Sequence, residues 1–219
     1  MLKLIAFDLD GTLADTLADL ATAMNHALES EGLHGYPVDD YRTFVGNGID
    51  NLVRVTMDDG FSPDGAERVK AEFYSYYADH CIDYTAAYDG AGELLEKLAA
   101  DGYMTAVVSN KPDRFVPDIL KTLYPDHRFT VAWGKQDGVA RKPDPESLLN
   151  LIALCKVDKS EALYVGDSNV DVIFAHNAEV IVCGVSWGFR GEKELREAGA
   201  DYIVDSAEEL YRLIRGLDE

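Results

Sequence analysis

One device recurs along this chain: a short, nearly unbroken apolar run, followed by an amphipathic segment of helix length. The runs are Leu2–Leu9, Tyr103–Ser109, Phe129–Trp133, Ala162–Val165, Val180–Val185 and Tyr202–Val204. A strand buried on both faces reads as a continuous apolar run and not as an alternation, so these predict parallel strands. Between them, residues 92–100 place Leu94, Leu95, Leu98 and Ala99 at helical spacing. Residues 145–155 repeat the pattern with Leu148, Leu149, Ile152 and Leu154, and 207–214 closes the chain. Such alternation predicts an α/β fold, a Rossmann-like parallel sheet with helices on both faces.

Residues 14–84 break the alternation. Leu17, Leu20, Ala21, Met24, Ala27 and Leu28 follow the 3.6-residue period. A second helix is expected over 67–77, with Val69, Phe73 and Tyr76 or Tyr77 on one side, and a third over 49–57, after Gly46-Asn47-Gly48. This stretch is too long for a crossover. It predicts an inserted α-helical cap, 14–84, on a core made of 1–13 and 85–219.

Charge and cysteine usage narrow the partners. The 219 residues carry 20 Lys+Arg against 40 Asp+Glu, a net charge of −20. Such a surface is repelled by nucleic acid and by anionic membrane, so neither is an expected partner. Cys81, Cys155 and Cys183 lack the paired spacing of a disulfide framework or a zinc site. No apolar run approaches a membrane span, and the N-terminal one meets Asp8 too early for a signal peptide. A cytoplasmic protein is expected, monomer or homodimer.

The chemistry gathers at strand ends, where open parallel sheets bind ligands. Asp8 and Asp10 stand at the end of the first run and share one side of the chain, with Gly11 allowing the turn. Asp167 and Asp171 form a second pair after the fourth run. Converging carboxylates need a shared proton or cation. A few hard oxygen ligands suit Mg²⁺ better than Ca²⁺. Ser109 and Asn110 end another strand and offer a hydroxyl, an amide and backbone N–H groups to phosphate oxygens. Lys142, set in Arg141-Lys142-Pro143-Asp144-Pro145, would bring an ammonium to the same place. Each feature also has a plain structural reading: a DG turn, a helix cap at Asp167, a helix cap before Pro112, a solvated loop lysine.

In order, FDLDGTL at 7–13, VVSN at 107–110, Lys142 in RKPDP and GDSNVD at 166–171 resemble the four motifs of the haloacid dehalogenase superfamily. The chain is most similar to its phosphoglycolate phosphatase branch, and the helical insert matches that branch's cap. The resemblance implies that Asp8 is a nucleophile forming an aspartyl phosphate, and that Asp10 is the general acid and base. It implies Mg²⁺ held by Asp8, the Asp10 carbonyl and Asp167, with Asp171 in support. Thr12, Ser109, Asn110 and Lys142 would hold the phosphoryl group of a small phosphorylated metabolite.

Asp10 separates phosphatases from the superfamily's dehalogenases, which lack the second acid. A sugar phosphomutase shares both acids but resembles its relatives in an arginine soon after the cap glycine, where this chain has Ile49 and Asp50. That mutase and a non-catalytic binding protein are the alternatives. Gly46, Asn47 and Gly48 precede a helix whose N–H groups suit an anion, so this loop is expected to take a substrate carboxylate. The chain departs from the branch at Val55, where an arginine is usual and Arg54 stands one place early. It departs again at His176-Asn177-Ala178-Glu179, where small residues and glycine are expected.

Overall fold

The computed structural model describes residues 1–58 and 62–218. Strand β1 is Leu4–Phe7, every residue buried. A short β2, Ala14–Asp15, leads into four helices: α1 Leu17–Ser30, α2 Tyr41–Phe44, α3 Ile49–Met57 and α4 Pro63–His80. The chain returns through β3, Ala86–Ala87, to α5 Ala91–Ala100 and β4 Met104–Pro112. Next come α6 Val116–Leu123, β5 Val131–Lys135, α7 Glu146–Cys155 and β6 Ala162–Gly166. The chain ends with α8 Asn169–Asn177, β7 Ile181–Val185, α9 Gly191–Ala198, β8 Tyr202–Val204 and α10 Ala207–Gly216.

Six parallel strands form one sheet in the order β5-β4-β1-β6-β7-β8. Alternation along β1 divides the core: Leu4 and Ala6 face α7, α8 and α9, while Ile5 and Phe7 face α5, α6 and α10. Both faces are therefore covered, as the continuous apolar runs require. β1 sits between β4 and β6, with Phe7 level with Val107 on one side and Val165 on the other. From β1 the chain builds β4 and β5 on one side, then crosses to β6, β7 and β8 on the other, and this reversal opens a crevice at the carboxyl ends of the strands.

The helical insertion joins the sheet through a ribbon in which Ala14 pairs with Ala87 and Asp15 with Ala86. Buried Asp19 on α1 braces the ribbon by accepting hydrogen bonds from the Tyr84 and Thr85 N–H groups and the Thr85 hydroxyl. On α1, the six apolar residues of the helical period are all buried. The helix expected over 67–77 is longer, because the Ser62 hydroxyl caps it by accepting the Gly65 N–H and Pro63 fits its first turn. Tyr77 faces the core, whereas Tyr76 stacks between His26 and His80 on the outside. β4 outruns its expected end at Ser109, because Pro112 still pairs with Lys135 of β5. No helix among the described residues is long and apolar enough to cross a membrane.

Candidate active site

Asp8 and Asp167 are the first residues beyond β1 and β6, neighbouring strands in which Phe7 is level with Val165, so the two acids emerge one residue out of step at the same edge of the sheet. With Asp171 they offer carboxylate oxygens within 4.8 Å of one another, all buried. The approach depends on glycine: a Cβ on Gly11, whose φ is +84°, would lie 2.3 Å from the Asp167 carboxylate. A Cβ on Gly166 would lie 2.4 Å from Asp171.

Asp171 is saturated. Its Oδ1 takes Lys142 Nζ at 2.7 Å, and its Oδ2 takes the Ser168 hydroxyl at 2.7 Å and the Ser168 N–H at 3.2 Å. Ser168 and Asp171 form the capping box of α8, so Ser168, and not Asp167, is its N-cap. Asp171 thus positions Lys142, whose Nζ also lies 3.0 Å from Asp8 Oδ1. The Leu9 N–H binds the same Asp8 oxygen at 2.7 Å, which leaves Oδ2 for chemistry. Asp167 accepts the Phe189 N–H through Oδ2 and keeps Oδ1 open.

Three buried carboxylates therefore share one ammonium, a local excess of two negative charges. Burial pushes the Asp8 carboxyl up to about 6, with Lys142 and the Ser109 hydroxyl opposing and Asp171 and Asp10 adding to the rise. Burial, with Asp171 and Asp8, raises Asp167 as well. Burial pulls the Lys142 ammonium down, but Asp171 and Asp8 outweigh it and leave the lysine above its ordinary value. A deficit of two positive charges among hard oxygens fits a divalent cation.

Asp10 lines the same cavity as Asp8. Thr16 Oγ1 at 2.7 Å and Lys111 Nζ at 2.9 Å both donate to its Oδ1, leaving Oδ2 toward the cavity. The sequence motifs do not single out the Lys111 side chain. The signal was present: alternation puts it on the same side of β4 as Ser109, and a lysine inside a buried strand requires an anionic partner. Its side chain is 1% exposed, and Nζ also donates to the Tyr77 hydroxyl of α4 at 2.7 Å. Burial lowers this lysine's pKa, but Asp10 and Tyr77 more than offset that and hold it charged.

The remaining expected residues divide. Ser109 lines the cavity beside Asp8. Asn110 lines it too, but its side chain is spent elsewhere: Nδ2 donates to the carbonyls of Gly46 and Lys142, and Oδ1 accepts the Lys142 N–H. The amide clamps two loops and cannot also bind phosphate. The Thr12 hydroxyl is buried outside the cavity lining and has no hydrogen-bond partner among the described residues. In the 46–48 loop, Gly46 and Gly48 line the cavity, while Asn47 turns its carbonyl to Arg141 Nη1. The carbonyls of Val45, Gly46 and Asn47 are all drawn to the core, by Arg190, Asn110 and Arg141. Arg54 is exposed, bonds Asn51 on its own helix and does not reach the cavity.

The insertion closes the crevice into a cavity of about 40 Å³. Its floor is the acid and lysine constellation; its roof is Leu20, Val45, Ile49, Leu52 and Tyr77.

Known proteins place this arrangement. The chain is 33% identical to a phosphoglycolate phosphatase of Mannheimia succiniciproducens, over 97% of this chain and 98% of that one. It is 34% identical to a phosphoglycolate phosphatase of Haemophilus influenzae, with the same coverage of both. The crystal structure of a predicted phosphoglycolate phosphatase from Haemophilus somnus superposes with a TM-score of 0.90 at 31% identity, covering 97% of this chain and 98% of that one. Residues 5–185 match the haloacid dehalogenase-like hydrolase family. With whole-length relatives above 30% identity and the acid pairs of two strand ends in one crevice, the chain belongs to the haloacid dehalogenase-like hydrolases.

Proposed function

We propose that this hydrolase cleaves a small phosphomonoester, phosphoglycolate or a close analogue, through an aspartyl phosphate on Asp8. The observation that carries the reading is the division of the two strand-end acids. Asp8 keeps Oδ2 open with its other oxygen paired to Lys142, while Asp10, lining the same cavity, keeps Oδ2 open with its other oxygen paired to Lys111. Asp8 attacks phosphorus while Asp10 delivers a proton to the leaving oxygen. Asp10 then takes a proton from the water that hydrolyses the acyl phosphate, returning Asp8 and releasing phosphate.

A phosphate dianion approaching a carboxylate meets about 4 kcal/mol of repulsion per charge pair at 4 Å and an effective dielectric near 20. Lys142 offsets part of that. Asp8, Asp167 and the Asp10 carbonyl would hold Mg²⁺, which would supply the positive charge that this site lacks. Ser109 would orient the phosphoryl oxygens. The insertion, residues 14–84, acts as the cap: its apolar roof excludes water, and the small cavity admits only a short leaving group.

The test is phosphate release from phosphoglycolate by the purified chain with and without Mg²⁺. Turnover should require the ion, stop reversibly with a chelator and vanish in Asp8→Asn. A variant that kept more than a few per cent of the rate would exclude the aspartyl phosphate.

A further inference from the structure

We propose that the Tyr77 hydroxyl, gripped by Lys111, is the donor through which the insertion recognises a carboxylate on the substrate's leaving group. This deepens the phosphatase reading and rests on it. Tyr77 is 1% exposed, and its ring is fixed from two sides. It stacks on Phe73 of the insertion with centroids 5.2 Å apart and meets Phe115 of the core edge-on at 5.0 Å.

The hydrogen-bond direction at the hydroxyl is forced. Lys111 Nζ lies 2.7 Å away and, being an ammonium, can only donate. The phenol oxygen is therefore the acceptor, and its own proton must go elsewhere. Among the described residues it finds no acceptor, although Tyr77 lines the same cavity as Asp8 and Asp10. Buried O–H groups are normally satisfied, so one left open into a cavity is complementary to a ligand acceptor. The cation behind the oxygen also polarises the O–H and makes it a stronger donor. Lys111 has three protons and places two, on Asp10 and Tyr77, so a further donor of the same pair is open.

Position selects the ligand. Asp10 connects to this pair through Lys111, and Asp10 is the acid that protonates the leaving oxygen. A group received by Tyr77 therefore belongs to the leaving group, within a few bonds of that oxygen. Leu20 and Leu52 line the cavity and offer an anion no donor, so the open O–H and N–H groups of Tyr77 and Lys111 are where an oxyanion would be received. A carboxylate one carbon from the ester oxygen meets each condition. The buried side-chain donors on the insertion's side of the cavity lie at Tyr77 and Lys111, and the backbone N–H groups expected of the 46–48 loop stand beside them, because Gly46 and Gly48 line the same cavity.

The experiment compares kcat/KM for phosphoglycolate and for ethyl phosphate, which replaces the carboxylate with a methyl group, in wild type and Tyr77→Phe. Phenylalanine keeps both ring contacts and removes only the hydroxyl, and its Tm is measured alongside. Wild type should favour phosphoglycolate, and the variant should lower that ratio tenfold or more, chiefly through KM. Equal losses on both substrates, or no loss, would overturn the assignment and leave the phosphatase reading intact. A wild type that hydrolyses both without favouring phosphoglycolate would overturn it however stable the variant is. A wild type that hydrolyses neither would overturn the phosphatase reading, and this assignment with it.

Discussion

Asn110 and Lys142 exchange two hydrogen bonds, Nδ2 to the Lys142 carbonyl at 3.1 Å and the Lys142 N–H to Oδ1 at 2.9 Å. The side chain of one residue thus acts toward the other as a neighbouring strand would, and sets the loop that aims Lys142 at Asp8 and Asp171. Its remaining N–H reaches Gly46 on the insertion. In Asn110→Asp both donors are lost, and a carboxylate faces two carbonyls. Leaving buried acceptors unpaired costs about 1–3 kcal/mol each, so Tm should fall by several degrees. Turnover should drop by a factor of roughly 10–100 as Lys142 loses its placement. Thermal unfolding and steady-state kinetics check this; unchanged kinetics would show that Lys142 is held without the clamp.

Asp10, beyond β1, and Asp167, beyond β6, should separate under mutation. Asp10→Asn removes the proton carrier and keeps the backbone carbonyl, so kcat should fall by a factor of order 10²–10⁴ while Mg²⁺ affinity changes little. Asp167→Asn should weaken Mg²⁺ binding instead. Titration calorimetry on both variants distinguishes them, and the reverse pattern would refute the division of labour.

Metal binding should depend on pH with a definite sign. The folded chain holds the Asp8 carboxyl at about 6, above its ordinary value, because burial disfavours the anion. A raised carboxyl contributes stability that is present below its unfolded pKa and lost as pH rises through the folded value. The metal-free protein should therefore lose stability between about pH 4 and pH 6 from this group. A divalent cation needs the ionised form, so the rise in Tm on adding Mg²⁺ should be larger at pH 7 than at pH 5. A metal-induced shift that shrinks with rising pH would contradict the cluster's role.

Glu179 occupies a backbone conformation made for glycine, with φ at +60°. It lies in the 176–179 segment, His176-Asn177-Ala178-Glu179, just before β7. Its carboxylate makes an exposed pair with Lys159, worth little. Relief of the left-handed strain should outweigh that pair and the added chain entropy of glycine. Glu179→Gly should raise stability by up to about 1 kcal/mol without touching kinetics. A chemical denaturation midpoint that falls would show that the pair matters more than the strain.

Much of this protein is legible locally. Each parallel strand announces itself as a short apolar run because both faces are buried, and the helices by their 3.6-residue stripe. The insertion stands out as a helical stretch too long for a crossover. The acids at 8, 10, 167 and 171 fall at strand ends, where the register of β1 and β6 brings two of them together. What the sequence could not rank was the use of each polar side chain. Asn110 reads as a phosphate ligand from the sequence, whereas its side-chain amide is bonded to partners 64 and 32 residues away. Lys111 lies 101 residues from Asp10 and 34 from Tyr77, and Arg54 lies one helix turn from the asparagine that occupies it. Hydrophobic periodicity records which face of an element is buried. It carries no record of which distant donor meets which acceptor, because that depends on the closure of the insertion over the sheet.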